Sequence, residues 1–355
     1  MGFANFYHDE PLFGLDIGWS TIKVIQLDLS SPQLPKVLGW GITKFDPSAI
    51  NNGVITNFDA VSKAMYELFK KEIHGSIYTR RVVCSLPTSH TFSRLIKLPA
   101  IADKDIAGAI KLEAEQYIPM PTANLYIDYE IASRGPEGIE LLMMATPKTI
   151  VDSYVKLLAA LDLELVALEP SINSTARLFN LIEPVDGASM LVDLGAAAID
   201  VAVFDKIMII NSTIPGGSDL MTKLVSEKLN TDTESAFEMR SKYGIGISQN
   251  QQQIEAAIEP VLENLLKEIR KVSRYYTDRA GHSQRKIARI ITSGGGANMP
   301  GINQYLAKQI ELPTTTLDPW KKIDFGHLKR PSSLEQAAFN TAAGEALLDP
   351  PEIYR

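Results

Sequence analysis

At 355 residues the chain is longer than one small core accommodates, so it implies two lobes or subdomains. A composition of 45% hydrophobic and 22% charged residues excludes a disordered chain, and a net charge of -7 excludes a broad phosphate-neutralising surface for nucleic acid. The single cysteine, Cys84, excludes an internal disulfide and a cysteine-based zinc site and fits a reducing compartment.

From the N-terminus, MGFANFYHDEP lacks the basic and apolar regions of a secretory signal, and Phe6 stands where a myristoylation signal needs Ser or Thr. Residues 12 to 29 and 37 to 45 read as extended segments joined by a turn at Ser31, Pro32 and Pro35. From Asp59 to Lys71, Val61, Met65, Leu68 and Phe69 share one helical face, with Asp59 as the cap. RRVVCSLP is a short buried strand that ends at Pro87. Between Ser85 and about Asp162 the pattern becomes strand, helix, strand, strand, helix, which reads as a small α+β insertion.

A strand ELVALEP and a helix SINSTARLFNLI follow, then strand, tight turn and strand in SMLVDLGAAAIDVAVFD. Here an earlier device recurs. Aligning Asp16 with Asp193 and Gly18 with Gly195 places Leu15 on Val192, Ile17 on Leu194, Val24 on Val201 and Leu27 on Phe204. Residues 217 to 281 are mostly helical; SQNQQQ reads as an exposed loop, and Pro260 implies a kink or a late start in the longest helix. KIARIITSGGGANMPGI gives a further strand running into glycines, with a helix from about Gly301. No run reaches the roughly 18 consecutive apolar residues of a membrane span.

Two Asp-x-Gly hairpins facing each other suit a nucleotide. Glycine lets the backbone approach the β- and γ-phosphates, and carboxylates that cannot touch phosphate themselves serve as ligands, through water, of a bridging Mg²⁺. This nominates Asp16 and Asp193 for the metal, with Gly18, Ser20, Thr21, Lys23 and Gly195 for the phosphates. Gly216 and Gly217, before a helix, form a further phosphate- or ribose-compatible turn. Gly294, Gly295, Gly296 and Asn298 sit where a backbone can press on a nucleoside. His8, His74, His90, His282 and His327 show no metal-ligand spacing, and neither a Gly-x-Ser-x-Gly elbow nor a P-loop lysine motif is present.

This order of turns resembles the actin-like ATPase superfamily over nearly the whole chain. The insertion IKLPAIADKDIAGAIKLEAEQYIPMPTANLYIDYEI, together with GVITN and ALEPSINSTARL, resembles the PilM family of type IV pilus assembly proteins, and the insertion shares its placement with FtsA. The resemblance implies an α/β, actin-like fold of two lobes. Each lobe has a central mixed sheet flanked by helices, and the first carries the inserted α+β subdomain. The implied divisions are first-lobe core 11–84, insertion 85–165, first-lobe return 166–190, second-lobe core 191–220, helical subdomain 221–280, second-lobe return 281–330, and a C-terminal helix within 331–355 returning to the first lobe.

It further implies ATP with Mg²⁺ between the lobes, Glu169 near the metal and attacking water, and Lys267, Glu268 and Arg270 on a helix that reaches the adenosine. The expected partner is the N-terminal cytoplasmic tail of a PilN-like inner-membrane protein. It would lie in a groove between the first-lobe core and the insertion, flanked by Phe92, Arg94, Ile96 and Leu98. The expected location is cytoplasmic, at the inner face of the membrane through partners.

The chain departs from its relatives at Gly195-Ala196-Ala197-Ala198, where a hydroxyl residue is usual, so hydrolysis is expected to be slow or absent. An FtsA-like division protein would need an amphipathic C-terminus, whereas the sequence ends LLDPPEIYR. An actin-fold sugar kinase would need an aspartate base, for which Asp200 is the candidate.

Overall fold

The computed structural model describes residues 11–182, 187–205, 207–279 and 286–348. The N-terminal stretch read for a leader, His8, His282 and the chain from 349 onward lie outside the described residues.

In chain order, β1 (Phe13–Ile17), β2 (Thr21–Asp28) and β3 (Lys36–Lys44) form a meander. A small hairpin of β4 (Ile50–Asn51) and β5 (Val54–Ile55) follows, then α1 (Phe58–Glu67), β6 (Ile73–Gly75) and β7 (Arg81–Leu86). The insertion holds β8 (Phe92–Leu98), α2 (Asp103–Tyr117), β9 (Leu125–Gly135) and β10 (Gly138–Pro147). After α3 (Lys148–Ala160), β11 (Glu164–Pro170) and α4 (Ser171–Ile182) come β12 (Ala188–Leu194), β13 (Ala198–Asp205) and β14 (Ile207–Pro215). Helices α5 (Ser218–Leu229), α6 (Thr233–Lys242) and α7 (Gln251–Arg279) precede β15 (Ile287–Ser293), α8 (Ile302–Ile310) and β16 (Thr314–Thr316). Two short helices, α9 (Ser333–Gln336) and α10 (Asn340–Glu345), complete the list.

These elements form two compact units. One takes the described residues up to Pro87, Thr149 to Ile182 and those from Asp318 on; the other takes Thr88–Lys148 and the described residues between Gly187 and Leu317.

The first unit is built on a six-stranded mixed sheet, ordered β11-β7-β1-β2-β3-β6, with β1 antiparallel to β2 and parallel to β7. Strand alternation sorts its two faces. Phe13 and Leu15 turn to a core shared with Val61 and Met65 of α1 and Tyr154 and Leu157 of α3. Gly14 faces the other way, where α10 lies so close that a Cβ on Gly14 would stand 2.0 Å from the Ala342 carbonyl oxygen. Gly344 of α10 is pressed equally hard on α4: a Cβ there would lie 1.9 Å from the Ser174 carbonyl oxygen.

The second unit has a five-stranded mixed sheet, ordered β14-β13-β12-β15-β16. Met190, Val192, Val201 and Val203 of its strands pack on the apolar stripe of α7, which includes Ile258, Leu262, Leu265 and Ile269. Each such side chain contributes roughly 1.5–3 kcal/mol by leaving water. The insertion adds a three-stranded antiparallel sheet, ordered β8-β10-β9, against which Ile106, Ile110 and Ala114 of α2 close a small core. It interrupts the first unit in sequence, yet it packs within the second, where Leu95 of β8 reaches the main core.

Several local expectations change. Asn57, not Asp59, caps α1, because its side chain is the one that accepts from the Ala60 N–H at 3.1 Å. The glutamine-rich stretch joins α7 from Gln251, and Pro260 stands inside that helix rather than delaying its start. Strand β14, a third strand after the β12–β13 hairpin, is an edge of the five-stranded sheet.

Replacing Gly344 with Ala should cost at least about 1–3 kcal/mol, because the added methyl meets fixed backbone. Gly108→Ala on α2, where nothing lies within 4 Å, should be neutral or gain up to about 1 kcal/mol. Urea denaturation of both variants checks the opposite signs.

Candidate functional site

The β1–β2 turn is closed by the Gly18 N–H donating to the Thr21 carbonyl at 3.0 Å. Asp16 and Lys23 face each other across the hairpin, directly in register. The Lys23 ammonium donates to Asp16 Oδ2 at 2.7 Å, with the side chains only 7% and 13% exposed. Ser85 Oγ donates to Asp16 Oδ1 at 3.2 Å, so both carboxylate oxygens are engaged. Ser20 and Thr21 stand half-buried at the turn, while Ser20 uses its carbonyl to hold the Phe45 N–H.

Glu169, at the end of β11, accepts a two-pronged bond from Arg177, 2.7 Å at each oxygen, and a third from Ser174 Oγ at 2.7 Å. The arginine is itself tied to the Gly344 carbonyl at 2.9 Å. This is a closed fork that joins β11, α4 and α10, and it leaves Glu169 arranged as a positioning group. Glu345 is fully buried nearby, with no hydrogen-bond partner for either oxygen among the described residues. Burial, followed by the fields of Asp16 and Glu169, pushes its carboxyl well above the usual range, so it stands neutral.

In the second unit the loop between β12 and β13 is built by main chain. Gly216 N–H donates to the Ala197 carbonyl at 2.8 Å, Ser218 N–H to Gly195 at 2.8 Å and Asp219 N–H to Ala196 at 3.1 Å. Thus the start of α5 spends these donors on the loop rather than offering them to an anion. Gly217 permits that contact, since a Cβ there would lie 2.2 Å from the Gly195 carbonyl oxygen. Gly216 and Gly217, nominated for phosphate or ribose, therefore act as the clasp of the hairpin.

Asp193 pairs in register with Ser293 on one side and Asp200 on the other. Gly294, at φ +79°, sits where any side chain would collide with Asp193 Oδ1, 2.3 Å from the Cβ position. Gly296 is packed on Leu194, whereas Gly295 borders open space and Asn298 is half-buried at the end of the same turn. Ala196, Ala197 and Ala198 supply no hydroxyl.

Lys267, Glu268 and Arg270 do not converge. Lys267 is exposed, Arg270 donates to the Gln309 carbonyl at 3.3 Å, and Glu268 accepts from Ser212 Oγ at 2.6 Å and from Lys271 at 2.9 Å. Burial works against the charge on Glu268, but the Ser212 and Lys271 donors outweigh it and hold the carboxyl below the usual range. On the next strand Thr213 Oγ1 donates a short hydrogen bond to Asp200. The Asp200 carboxyl is largely withdrawn from water, although part of the residue remains accessible, and burial pushes it up to about 6.

A cavity of about 340 Å³ opens between the insertion and β14. Phe92 and Arg94 line it, on the side of β14 and not in the groove expected between the first-lobe core and the insertion, while Ile96 and Leu98 lie in the insertion's own core, each 5% exposed. The sequence reading missed Asn211, Ser212 and Thr213 on its far side. Their signal was three consecutive polar residues interrupting the apolar strand IMIINSTIP. Among the described residues no cluster of His, Cys, Asp or Glu forms a protein-only metal site, and no helix is long and apolar enough to cross a membrane. Mg²⁺ needs no such cluster, since one or two carboxylates suffice when phosphates and water complete its shell.

A family model described as type IV pilus assembly protein PilM matches residues 14–349. The chain belongs to the PilM family. The cell division protein FtsA of Neisseria meningitidis serogroup B (strain ATCC BAA-335 / MC58) is 24% identical over 347 residues, covering 86% of this chain and 83% of FtsA. Among solved structures, a PilM-PilN type IV pilus biogenesis complex aligns with TM-score 0.81 and 22% identity over 96% of this chain and 98% of that one. MreB 5 of Spiroplasma citri bound to AMPPNP aligns with TM-score 0.56 and 10% identity over 98% of both chains. The two mixed sheets flanked by helices are thus the actin-like ATPase fold, carried here by a PilM-family pilus assembly protein.

Lys23→Met should leave Asp16 enclosed without its counter-ion and cost about 3–5 kcal/mol, with Asp16→Asn added to the same chain restoring part of the loss. Equilibrium unfolding of the single and double variants reads this directly. For Asp200 the folded value of about 6 exceeds the unfolded 3.8, so its contribution favours folding at low pH and is lost as pH rises through 6. Asp200→Asn should therefore be more stable than the parent by about 1–3 kcal/mol near pH 8. That advantage should shrink towards pH 4, and a difference that does not change with pH would rule the assignment out.

Proposed function

We propose that this PilM-family chain is an ATP-binding scaffold of type IV pilus assembly that captures the N-terminal cytoplasmic tail of a PilN-like inner-membrane protein. In this reading the protein works at the inner face of the membrane, brought there by that partner. Phosphate is met by Lys23, which leaves Asp16 when a phosphate offers it a better partner, and by the Gly195 backbone, while the Gly18 N–H closes its own turn. Asp16 and Asp193 are the carboxylates that would hold Mg²⁺, which would supply positive charge to the phosphates.

The observation that carries the scaffold reading is the dedication of would-be catalytic groups to structure. Ala196, Ala197 and Ala198 offer no side chain to a γ-phosphate or to water, and their loop carbonyls are bonded to the start of α5. Glu169, the candidate for water activation, has both oxygens held by Arg177 and one of them also by Ser174. A carboxylate paired in this way with an arginine is a weaker proton acceptor than a free one. Nucleotide then stabilises a conformation rather than being turned over. A PilN-type partner draws support from the solved PilM-PilN complex that shares this fold.

Calorimetric titration with ATP, with and without Mg²⁺, and then with a synthetic peptide of a PilN-type N-terminal tail, tests both halves. The expected outcome is binding of each, with steady-state phosphate release near the uncatalysed background. Sustained turnover would contradict the scaffold, and no binding of the tail would remove the partner.

A further inference from the structure

In the first unit four neighbouring strands set polar residues side by side. Glu169 of β11 stands opposite Ser85 of β7, and Asp16 of β1 stands opposite Lys23 of β2. The Ser85 hydroxyl, 3.2 Å from Asp16 Oδ1, joins the two pairs into one row. Alternation along β1 puts Asp16 on the same face as Gly14. On that face lies α10, packed so closely that a Cβ on Gly14 would stand 2.9 Å from the Cβ of Glu345. Helix α10 thus brings a third carboxyl to the row. Both Glu345 oxygens are buried without a hydrogen bond of normal geometry among the described residues, and Ser85 is the hydroxyl whose hydrogen bonding acts on that carboxyl.

The charges of the row are already balanced. Arg177 answers Glu169 and Lys23 answers Asp16, each at 2.7 Å, so Glu345 has no cation of its own. An enclosed carboxylate in that position takes a proton instead. Burial, followed by the fields of Asp16 and Glu169, acts on Glu345 in the same direction. The proton decides what Glu345 does to Ser85. A hydroxyl has a single proton, and Ser85 gives its own to Asp16. An ionised Glu345 would compete with Asp16 for that proton, whereas the neutral acid has one to give and meets the lone pairs of Ser85. Donor, relay and acceptor then run in one direction, each bond polarising the next.

We infer that Glu345 is a positioning residue of the first phosphate hairpin: as a donor from α10 it fixes the Ser85 proton on Asp16, so that Asp16 keeps its place when Lys23 turns to a phosphate. Glu345 acts through Ser85 and touches no ligand itself. Once Lys23 leaves, the Ser85 bond is what restrains the carboxylate, and its strength then matters most. The inference rests on the reading that ATP draws Lys23 away from Asp16, and it makes α10 part of the support of that site.

The test compares the full chain with Glu345→Leu, Glu345→Gln and Ser85→Ala by calorimetric titration with ATP and Mg²⁺. Leucine fills a similar volume with no polar atom to satisfy, so Glu345→Leu should be no less stable in urea than the parent and yet bind ATP about tenfold more weakly. Glutamine keeps an N–H donor at the same place and should restore most of the affinity. Ser85→Ala should weaken binding by a similar factor, and adding it to Glu345→Leu should cost nothing more, because the two act through one relay. On the unaltered protein, the infrared C=O stretch of a protonated carboxyl should shift when ATP is added, so the outcome does not depend on how the variants fold. Glu345→Leu that binds ATP as the parent does, or a carboxyl band that ignores ATP, overturns the inference and leaves the nucleotide reading intact. An unaltered protein that binds no ATP overturns both.

Discussion

The second unit depends on one backbone contact: the amides of Gly216, just before α5, and of Ser218 and Asp219 in its first turn are bonded to the carbonyls of the loop between β12 and β13. Helix starts leave amides without internal partners, and these are commonly met by a side-chain cap, water or an anion. Here no side chain caps α5, and the loop carbonyls take that role. The cost falls on composition. Gly217 cannot carry a side chain beside Gly195, and Gly294 cannot carry one beside Asp193. A run of small residues that would otherwise read as slack is thus the condition for a rigid hairpin.

The first unit solves the analogous problem with charge. Its hairpin is fixed by an enclosed Lys23–Asp16 pair, supported by Ser85, and its strands are locked to α4 and α10 by the Arg177–Glu169 fork. Buried ion pairs gain little net energy over an apolar filling, but losing one partner is costly, so such pairs hold geometry. Glu345 completes the arrangement by being neutral, because a further enclosed anion beside Asp16 and Glu169 would lack a cation. The two hairpins look alike in sequence and are stabilised by different physics, one by charge and one by main-chain bonding.

Those differences explain what was legible in the residues. The repeated Asp-x-Gly turn and the strand and helix pattern of the insertion are local signals, although the last helix of that pattern, α3, packs with the first unit. Asn57 and Asp59 are equally eligible caps by residue type, and only the position where the helix begins decides that Asn57 reaches the Ala60 N–H. The roles of Glu169, Gly217 and Glu268 depend on partners distant in sequence: Arg177 and Gly344, the loop carbonyls, and Ser212 across 56 residues. No spacing rule encodes such pairings. Ile96 and Leu98 were grouped with Phe92 and Arg94 by alternation along one strand, but α2 covers only part of that strand and buries the first two as core.

Register connects the hairpin to the cavity. Ser293, Asp193, Asp200 and Thr213 stand opposite one another on four neighbouring strands, β15, β12, β13 and β14. Strands lie about 4.8 Å apart, so Asp193 at the loop and Thr213 at the cavity are separated by roughly 10 Å of continuous hydrogen-bonded sheet. Directly opposed carboxylates are unfavourable; burial pushes the Asp200 carboxyl up to about 6, while the Thr213 hydrogen bond favours its charged form. A slip of one residue in β13 would turn Asp200 to the opposite face, unseat Thr213 and move the Ala196–Ala198 loop together. The geometry of the loop and that of the cavity wall are therefore one constraint, set by how β13 pairs.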